Sequence, residues 1–197
     1  GVMRYTNLSL QHLKDDDVVR GYLLEIKHGL NRMANIVKSL LACSRNAHPS
    51  MQTIDVNEQI EQVLLGVQTD IFHKEIVLEK KLSGDVPVMI DLGVGLILSN
   101  LLRNAIDAVE RGGKIKISTY FKDGSLMLEV WDNGCGISAE AADQIFEPFY
   151  TTKDIDKGCG LGLTIVSEII KSYNGDISFK SKPKEGTVFT VTLPVEA

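Results

Sequence analysis

The sequence predicts an α+β chain in two parts: a helical hairpin with one arm cut short, then a sandwich in which helices cover one face of a sheet. Three observations carry this expectation. An apolar seam of helical period runs from Val19 to Leu40 and stops at a turn-rich break. Beyond the break, stretches of helical period are segregated from stretches that alternate like strands. Two pairs of alternating stretches are joined by short turns, which antiparallel neighbours permit and parallel ones do not. A length of 197 residues allows one large or two small domains. The boundaries read as 1–46 for the partial hairpin, 47–54 for a linker and 55–197 for the second domain.

In chain order, residues 1–13 read as the end of an earlier helix. Lys14-Asp15-Asp16-Asp17 reads as the turn before the next, with an aspartate suited to capping it. Val19, Leu23, Ile26, Leu30, Met33, Val37 and Leu40 are then spaced alternately four and three apart, an a/d seam with polar residues between. Such a helix buries one stripe and needs a partner. Half of a homodimeric four-helix bundle is expected, and an interdomain stalk is the bland alternative. Asn46 to Ser50 breaks the pattern as a linker.

The second domain reads as a helix near Val56 to Asp70, strands near Glu75 to Leu82 and Pro87 to Ile90, and a longer helix from about Asp91 to Glu110. A hairpin follows, Lys114 to Phe121 and Ser125 to Trp131, turned by Asp123-Gly124. After a glycine-rich irregular segment come a helix from about Leu161 to Tyr173 and a second hairpin, Asp176 to Ser181 and Thr187 to Leu193.

Composition excludes several functions. Lys plus Arg total 21 against 26 Asp plus Glu, and a net charge of −5 argues against nucleic acid as a partner. No stretch approaches the ~18 apolar residues of a membrane span, so no membrane contact by this chain is expected. Cys43, Cys135 and Cys159 are odd in number and lack metal-ligand spacing, and no signal peptide opens the chain. A cytoplasmic setting is expected, compatible with a membrane anchor elsewhere in a longer protein.

Four clusters carry chemistry. On the helix from Asp91, Asn100, Asn104 and Asp107 lie four and three apart and so share a polar stripe. A ligand or plain solvent would suit it. Asp132-Asn133-Gly134-Cys135-Gly136-Ile137 puts a carboxylate at a strand end and then two glycines, as an Asx turn also would. A carboxylate only accepts hydrogen bonds, which suits an exocyclic amine such as adenine's. Gly158-Cys159-Gly160-Leu161-Gly162-Leu163 precedes an apolar helix, where free amides and the helix dipole favour phosphate. It lacks the Lys-Ser/Thr of a P-loop and the leading strand of a dinucleotide fingerprint. Between the glycine clusters, Phe146-Glu-Pro-Phe-Tyr-Thr-Thr-Lys153 sits in a long loop able to move as a lid, with Lys153 a cation for a terminal phosphate or an ordinary solvated lysine.

Together these motifs, in this order, resemble the histidine-kinase catalytic domain of the family shared with gyrase, the Hsp90 chaperone and MutL. Asn100 to Ala108 resembles its N box, Asp132 to Ile137 the first glycine box, Phe146 to Lys153 the F box and Gly158 to Leu163 the second glycine box. Ser39 to Arg45 is similar to the end of the second dimerisation helix. The resemblance covers about Asp55 to Leu193. It implies a Bergerat-type (GHKL) sandwich with a mixed sheet, and an ATP–Mg²⁺ site. Asn104 is its implied metal ligand with Asn100 beside it, and Asp132 selects adenine. Gly134 and Gly136 let the purine lie close, and the amides about Gly158, Gly160, Leu161 and Gly162 hold phosphates under a lid bearing Lys153. Thr190 is a weaker candidate beside adenine. The implied activity is transfer of the γ-phosphoryl group to a histidine and then to an aspartate of a response regulator, in a homodimer joined through the hairpin.

ATP-hydrolysing relatives place a water-activating glutamate where Asn100 stands, so a kinase is favoured over an ATPase switch without kinase activity or a non-catalytic interaction module. The acceptor histidine is not identified in this chain. His12 lies near the turn, His28 on the seam helix, His48 in the linker and His73 in the catalytic domain. The acceptor is therefore expected just upstream. Cys135 and Cys159 are expected to be incidental small residues, with an oxidation-sensitive pair near the nucleotide as the sharper alternative.

Overall fold

The computed structural model describes residues 2–13, 18–27, 29–30, 53–91, 93–153 and 160–195. The chain divides into two compact units, 1–44 and 45–197. In the first, α1 spans Val2–Gln11, and α2 includes the helical residues 18–27 and 29–30. Thr6 and Leu10 are the buried residues of α1, and Arg20 donates to the Leu10 carbonyl at 3.3 Å. The seam residues Val19 and Ile26 remain about half exposed. The turn at 14–17, the seam beyond residue 30 and the linker at 46–50 lie outside the described residues, as do Cys43, His28 and His48.

The second unit is built on a mixed five-stranded sheet in the order β2-β4-β5-β7-β6. Its strands are β2 (Val77–Leu82), β4 (Lys114–Lys122), β5 (Ser125–Asp132), β6 (Asp176–Lys182) and β7 (Gly186–Pro194). Only β2 with β4 is parallel; the two expected hairpins, β4–β5 and β6–β7, supply antiparallel pairs. Ile115, Ile117, Leu126, Leu128, Val130, Phe189, Val191 and Leu193 all fall on one pleat face and are buried there. The stretch near Pro87 to Ile90 does not join this sheet. Its β3 (Met89–Ile90) pairs with β1 (Thr53–Ile54), a strand too short to leave a periodic signal.

Helices α3 (Val56–His73), α4 (Val94–Ala108) and α6 (Gly162–Ser172) cover the sheet, with α4 in contact with both of the others. Asp55 caps α3, its carboxylate accepting from Asn57 and Glu58 amides at 2.8 and 3.2 Å. The start of α4 is later than the periodicity suggests, because Gly93 is left-handed (φ 75°) and its amide bonds the Asp91 carboxylate at 2.8 Å. Ile97, Leu98, Leu101, Leu102, Ala105 and Ile106 are all buried, more than one stripe, since α4 packs on two helices and the sheet. A four-residue helix, α5 (Ala139–Ala142), interrupts the glycine-rich segment and was not legible in the pattern.

The far end of α4 is held by a cation. Lys74 Nζ donates to the carbonyls of Ile106 and Val109 at 2.7 and 3.0 Å, where the helix carries its partial negative charge. Charge-assisted bonds of this kind make Lys74→Met an expected loss of about 1–2 kcal/mol in chemical denaturation. An unchanged midpoint would show that water replaces the ammonium at no cost.

Candidate functional site

Helix α4 carries the polar stripe along its length. From Asn100 to Ala108 it runs about 12 Å at 1.5 Å per residue. At one end the Asn100 side-chain amide donates to the Leu96 carbonyl at 2.9 Å. Its Oδ1 lies only 3.1 Å from where a Cβ on Gly162 would sit, so the stripe meets the N-terminus of α6. Leu161 occupies the N-cap position there and gives no side-chain hydrogen bond to the first amides of α6. Asn104 lies half-buried one turn on. Asp107, one turn further, is paired with Lys153, Nζ to Oδ2 2.6 Å. Thus the loop lysine reaches the stripe.

At the other end stands Asp132, the last residue of β5 and 3 % exposed. Its carboxylate accepts the Gly134 amide at 2.8 Å and the Thr187 backbone N–H. Burial pushes its pKa upward, and the two amide bonds oppose that without cancelling it. A buried carboxylate beside few donors is suited to receive a ligand amine.

The glycines of the first box are required by the protein itself. A Cβ on Gly134 would stand 2.5 Å from the Ala108 carbonyl oxygen; one on Gly136 (φ 70°) would stand 2.2 Å from that of Lys182. Their missing side chains face protein backbone, so they join β5 to the end of α4 and to the β6–β7 turn. Two bonds fix this junction: the Cys135 amide to the Ala108 carbonyl at 3.1 Å and the Lys184 amide to the Cys135 carbonyl at 2.8 Å.

Thr190 requires a correction. It pairs with Glu129 across β5–β7, its hydroxyl 3.5 Å from the Glu129 carboxylate, whereas Asp132 pairs with Thr187. Positions 187 and 190 differ by an odd number, so the pleat sends them to opposite faces. Thr187 is the threonine beside Asp132, its hydroxyl 2.9 Å from that of Ser181, which also accepts the Ile137 amide at 2.8 Å. Parity with Phe189, Val191 and Leu193 in the sequence would have identified it.

In the loop, Phe146 is an anchor, its ring edge-on to Phe179 at 6.1 Å, with Phe179 in turn 5.7 Å from Phe189. The second glycine box is tied to the F box: the Phe149 amide donates to the Gly160 carbonyl at 3.0 Å, and Gly160 is left-handed (φ 66°) where a Cβ would strike Phe149 and Tyr150 backbone. Gly158 and Cys159 lie outside the described residues; Cys135 is a free, exposed thiol.

A buried carboxylate at a strand end, an asparagine-bearing helix and a helix N-terminus thus lie on one side of a mixed sheet. Residues 90–197 match the family described as "Histidine kinase-, DNA gyrase B-, and HSP90-like ATPase", and the chain belongs to that family. It is 32% identical over 189 residues to the signal transduction histidine-protein kinase AtoS of Escherichia coli (strain K12), covering 94% of this chain and 31% of that protein. It is 34% identical over 189 residues to the sensor kinase CckA of Brucella abortus (strain 2308), covering 87% of this chain and 20% of that one. The chain therefore spans a third or less of these two relatives. Among solved structures, the catalytic domain of histidine kinase ThkA superposes with a TM-score of 0.67 at 30% identity, over 74% of this chain and 96% of that one. ThkA in complex with the response regulator protein TrrA gives 0.74 at 27% identity, over 99% and 57%. Full-length ShkA in complex with AMPPNP shares the fold at 0.81 and 23% identity, over 100% and 42%.

Proposed function

We propose that this chain is the ATP-binding kinase core of a two-component sensor histidine kinase. The observation that carries the proposal is the single α4 stripe, which meets at Asn100 a helix N-terminus whose N-cap residue, Leu161, gives no side-chain bond, and which ends near the Asp132 junction. Asp132 accepts the adenine amine. The α6 amides at Leu161 and Gly162, with Gly160 before them, receive phosphate oxygens. Asn104 and Asn100 offer neutral amide oxygens to Mg²⁺, which keeps waters and takes phosphate oxygens as its other ligands and, when bound, neutralises the phosphate charge. Lys153 adds a mobile positive charge. No carboxylate occupies the Asn100 position to activate water, which favours transfer over hydrolysis.

The γ-phosphoryl group passes to a histidine and then to an aspartate of a response-regulator receiver domain, a reading supported by relatives named as sensor kinases and by the ThkA–TrrA likeness. His12 follows α1 in a turn and His73 ends α3, so neither is assigned as the acceptor. The a/d seam from Val19 to Leu40 is proposed to pair in a homodimer, in a cytoplasmic setting.

Thermal unfolding with and without Mg²⁺–ATP tests the reading. Ligand at about 100 times its Kd stabilises by about 2.7 kcal/mol, so a clear rise in melting temperature is expected. Asn104→Ala should shrink that rise without changing the unliganded melting temperature. A rise equal to the parent's would remove Asn104 from the metal role, and no rise in the parent would overturn ATP binding. ATP consumption without phosphorylation of an added acceptor hairpin would favour the ATPase switch instead.

A further inference from the structure

The Lys153–Asp107 pair joins residues 46 positions apart, and its side chains are 33 % and 41 % exposed. Lys153 is placed from its base as well, its amide donating to the Thr151 hydroxyl at 3.1 Å. A carboxylate is an odd neighbour for phosphates. Asp107 continues the stripe of two neutral asparagines, and bare it would repel an arriving polyphosphate.

We propose that Asp107 is the counter-ion that Lys153 exchanges for nucleotide phosphate, so that this carboxylate sets how strongly a triphosphate is preferred over a diphosphate. The inference rests on the ATP reading above. An ammonium paired with a carboxylate moves to phosphate only when the charge offered exceeds the charge left behind. A nucleotide whose last phosphate reaches Lys153 meets that condition, and a shorter one leaves the pair closed. The carboxylate is not abandoned when the lysine departs. Arg103 precedes it by one helical turn and lines the same cavity of about 280 Å³, together with Asp70, His73, Lys74 and Ile106. Lys74 is committed to the α4 carbonyls, so among the described residues Arg103 is the cation placed to take over.

The test is a binding cycle with Mg²⁺–ATP and Mg²⁺–ADP on the parent, Asp107→Asn, Lys153→Met and the double variant, with unliganded melting temperatures as the folding control. Releasing an ion pair of this exposure should tighten ATP roughly threefold in Asp107→Asn, with ADP unchanged. Lys153→Met should weaken ATP, because it exposes the carboxylate to the phosphates, and the double variant should recover part of that loss. Asp107→Glu, which keeps the charge, should restore the parental ATP-to-ADP ratio. Losses that simply add, or an Asp107→Asn chain that binds ATP more weakly than the parent, would overturn the exchange while leaving nucleotide binding intact. A parent that binds neither nucleotide would instead defeat the functional reading itself.

Discussion

Asp132→Asn is expected to weaken ATP binding about 10- to 100-fold and to abolish the preference for ATP over GTP, the range following from the 1.5–3 kcal/mol of a charged hydrogen bond. The carboxylate only accepts, so it matches the adenine amine and opposes the guanine carbonyl. The amide donates as well as accepts and no longer discriminates. The same substitution should stabilise the unliganded protein at neutral pH. Burial raises the Asp132 pKa, which means that the folded state binds its proton more tightly than the unfolded state does. Stability from this group is therefore fullest below the ordinary carboxylate range and is lost as pH rises through the raised folded value. At neutral pH the buried charge is a cost, and the neutral isostere removes it. Melting temperatures of parent and variant should differ most near neutrality and converge in acid. Convergence at every pH would mean that the Gly134 and Thr187 amides fully compensate burial, and a parent indifferent between ATP and GTP would remove the adenine role.

What the sequence made legible follows from how far each signal reaches. Periodicity located α3, α4, α6 and both hairpins because each is long enough for its repeat to be counted, and the α4 stripe placed Asn100, Asn104 and Asp107 together because helical spacing is local. The threonine beside Asp132 was misplaced by three residues although the strand was right, since identity along a strand matters less than parity. Partners distant in sequence were invisible: nothing in Lys153 or Asp107 announces the pair they form, and nothing in Phe146 announces Phe179. The β1–β3 pair was missed because two residues carry no period. The glycines were found for a plausible but incomplete reason. Their spacing suggested close approach, and the fold shows that a Cβ at Gly134, Gly136 or Gly160 would strike protein backbone, whereas one at Gly162 would meet the Asn100 side chain.

That division yields the sharpest contrast in the molecule, between Gly136→Ala and Gly162→Ala. At Gly136 the backbone is left-handed, which costs an alanine about 1–2 kcal/mol before any contact is counted. The added methyl would also stand 2.2 Å from the Lys182 carbonyl oxygen and 3.1 Å from the Pro183 Cα, backbone atoms fixed by the Lys184–Cys135 bond. Moving them disturbs the Ser181, Thr187 and Asp132 cluster, so a total loss of about 3 kcal/mol or more is expected, in the range that single substitutions reach only through strain or buried clashes. Gly162 is helical, and among the described residues a Cβ there would meet the Asn100 side chain alone, its Oδ1 at 3.1 Å. Alanine there gains up to about 1 kcal/mol of helix propensity, and a small shift of one amide group relieves the contact. Denaturation should therefore show Gly136→Ala strongly destabilised and Gly162→Ala as stable as the parent, while nucleotide titration should show Gly162→Ala weakened, because its methyl crowds the asparagine where phosphate and metal are proposed to meet. If Gly162→Ala bound ATP like the parent, the phosphate end of the site would have to be moved away from the start of α6; if Gly136→Ala folded normally, the first glycine box would not be the backbone junction described.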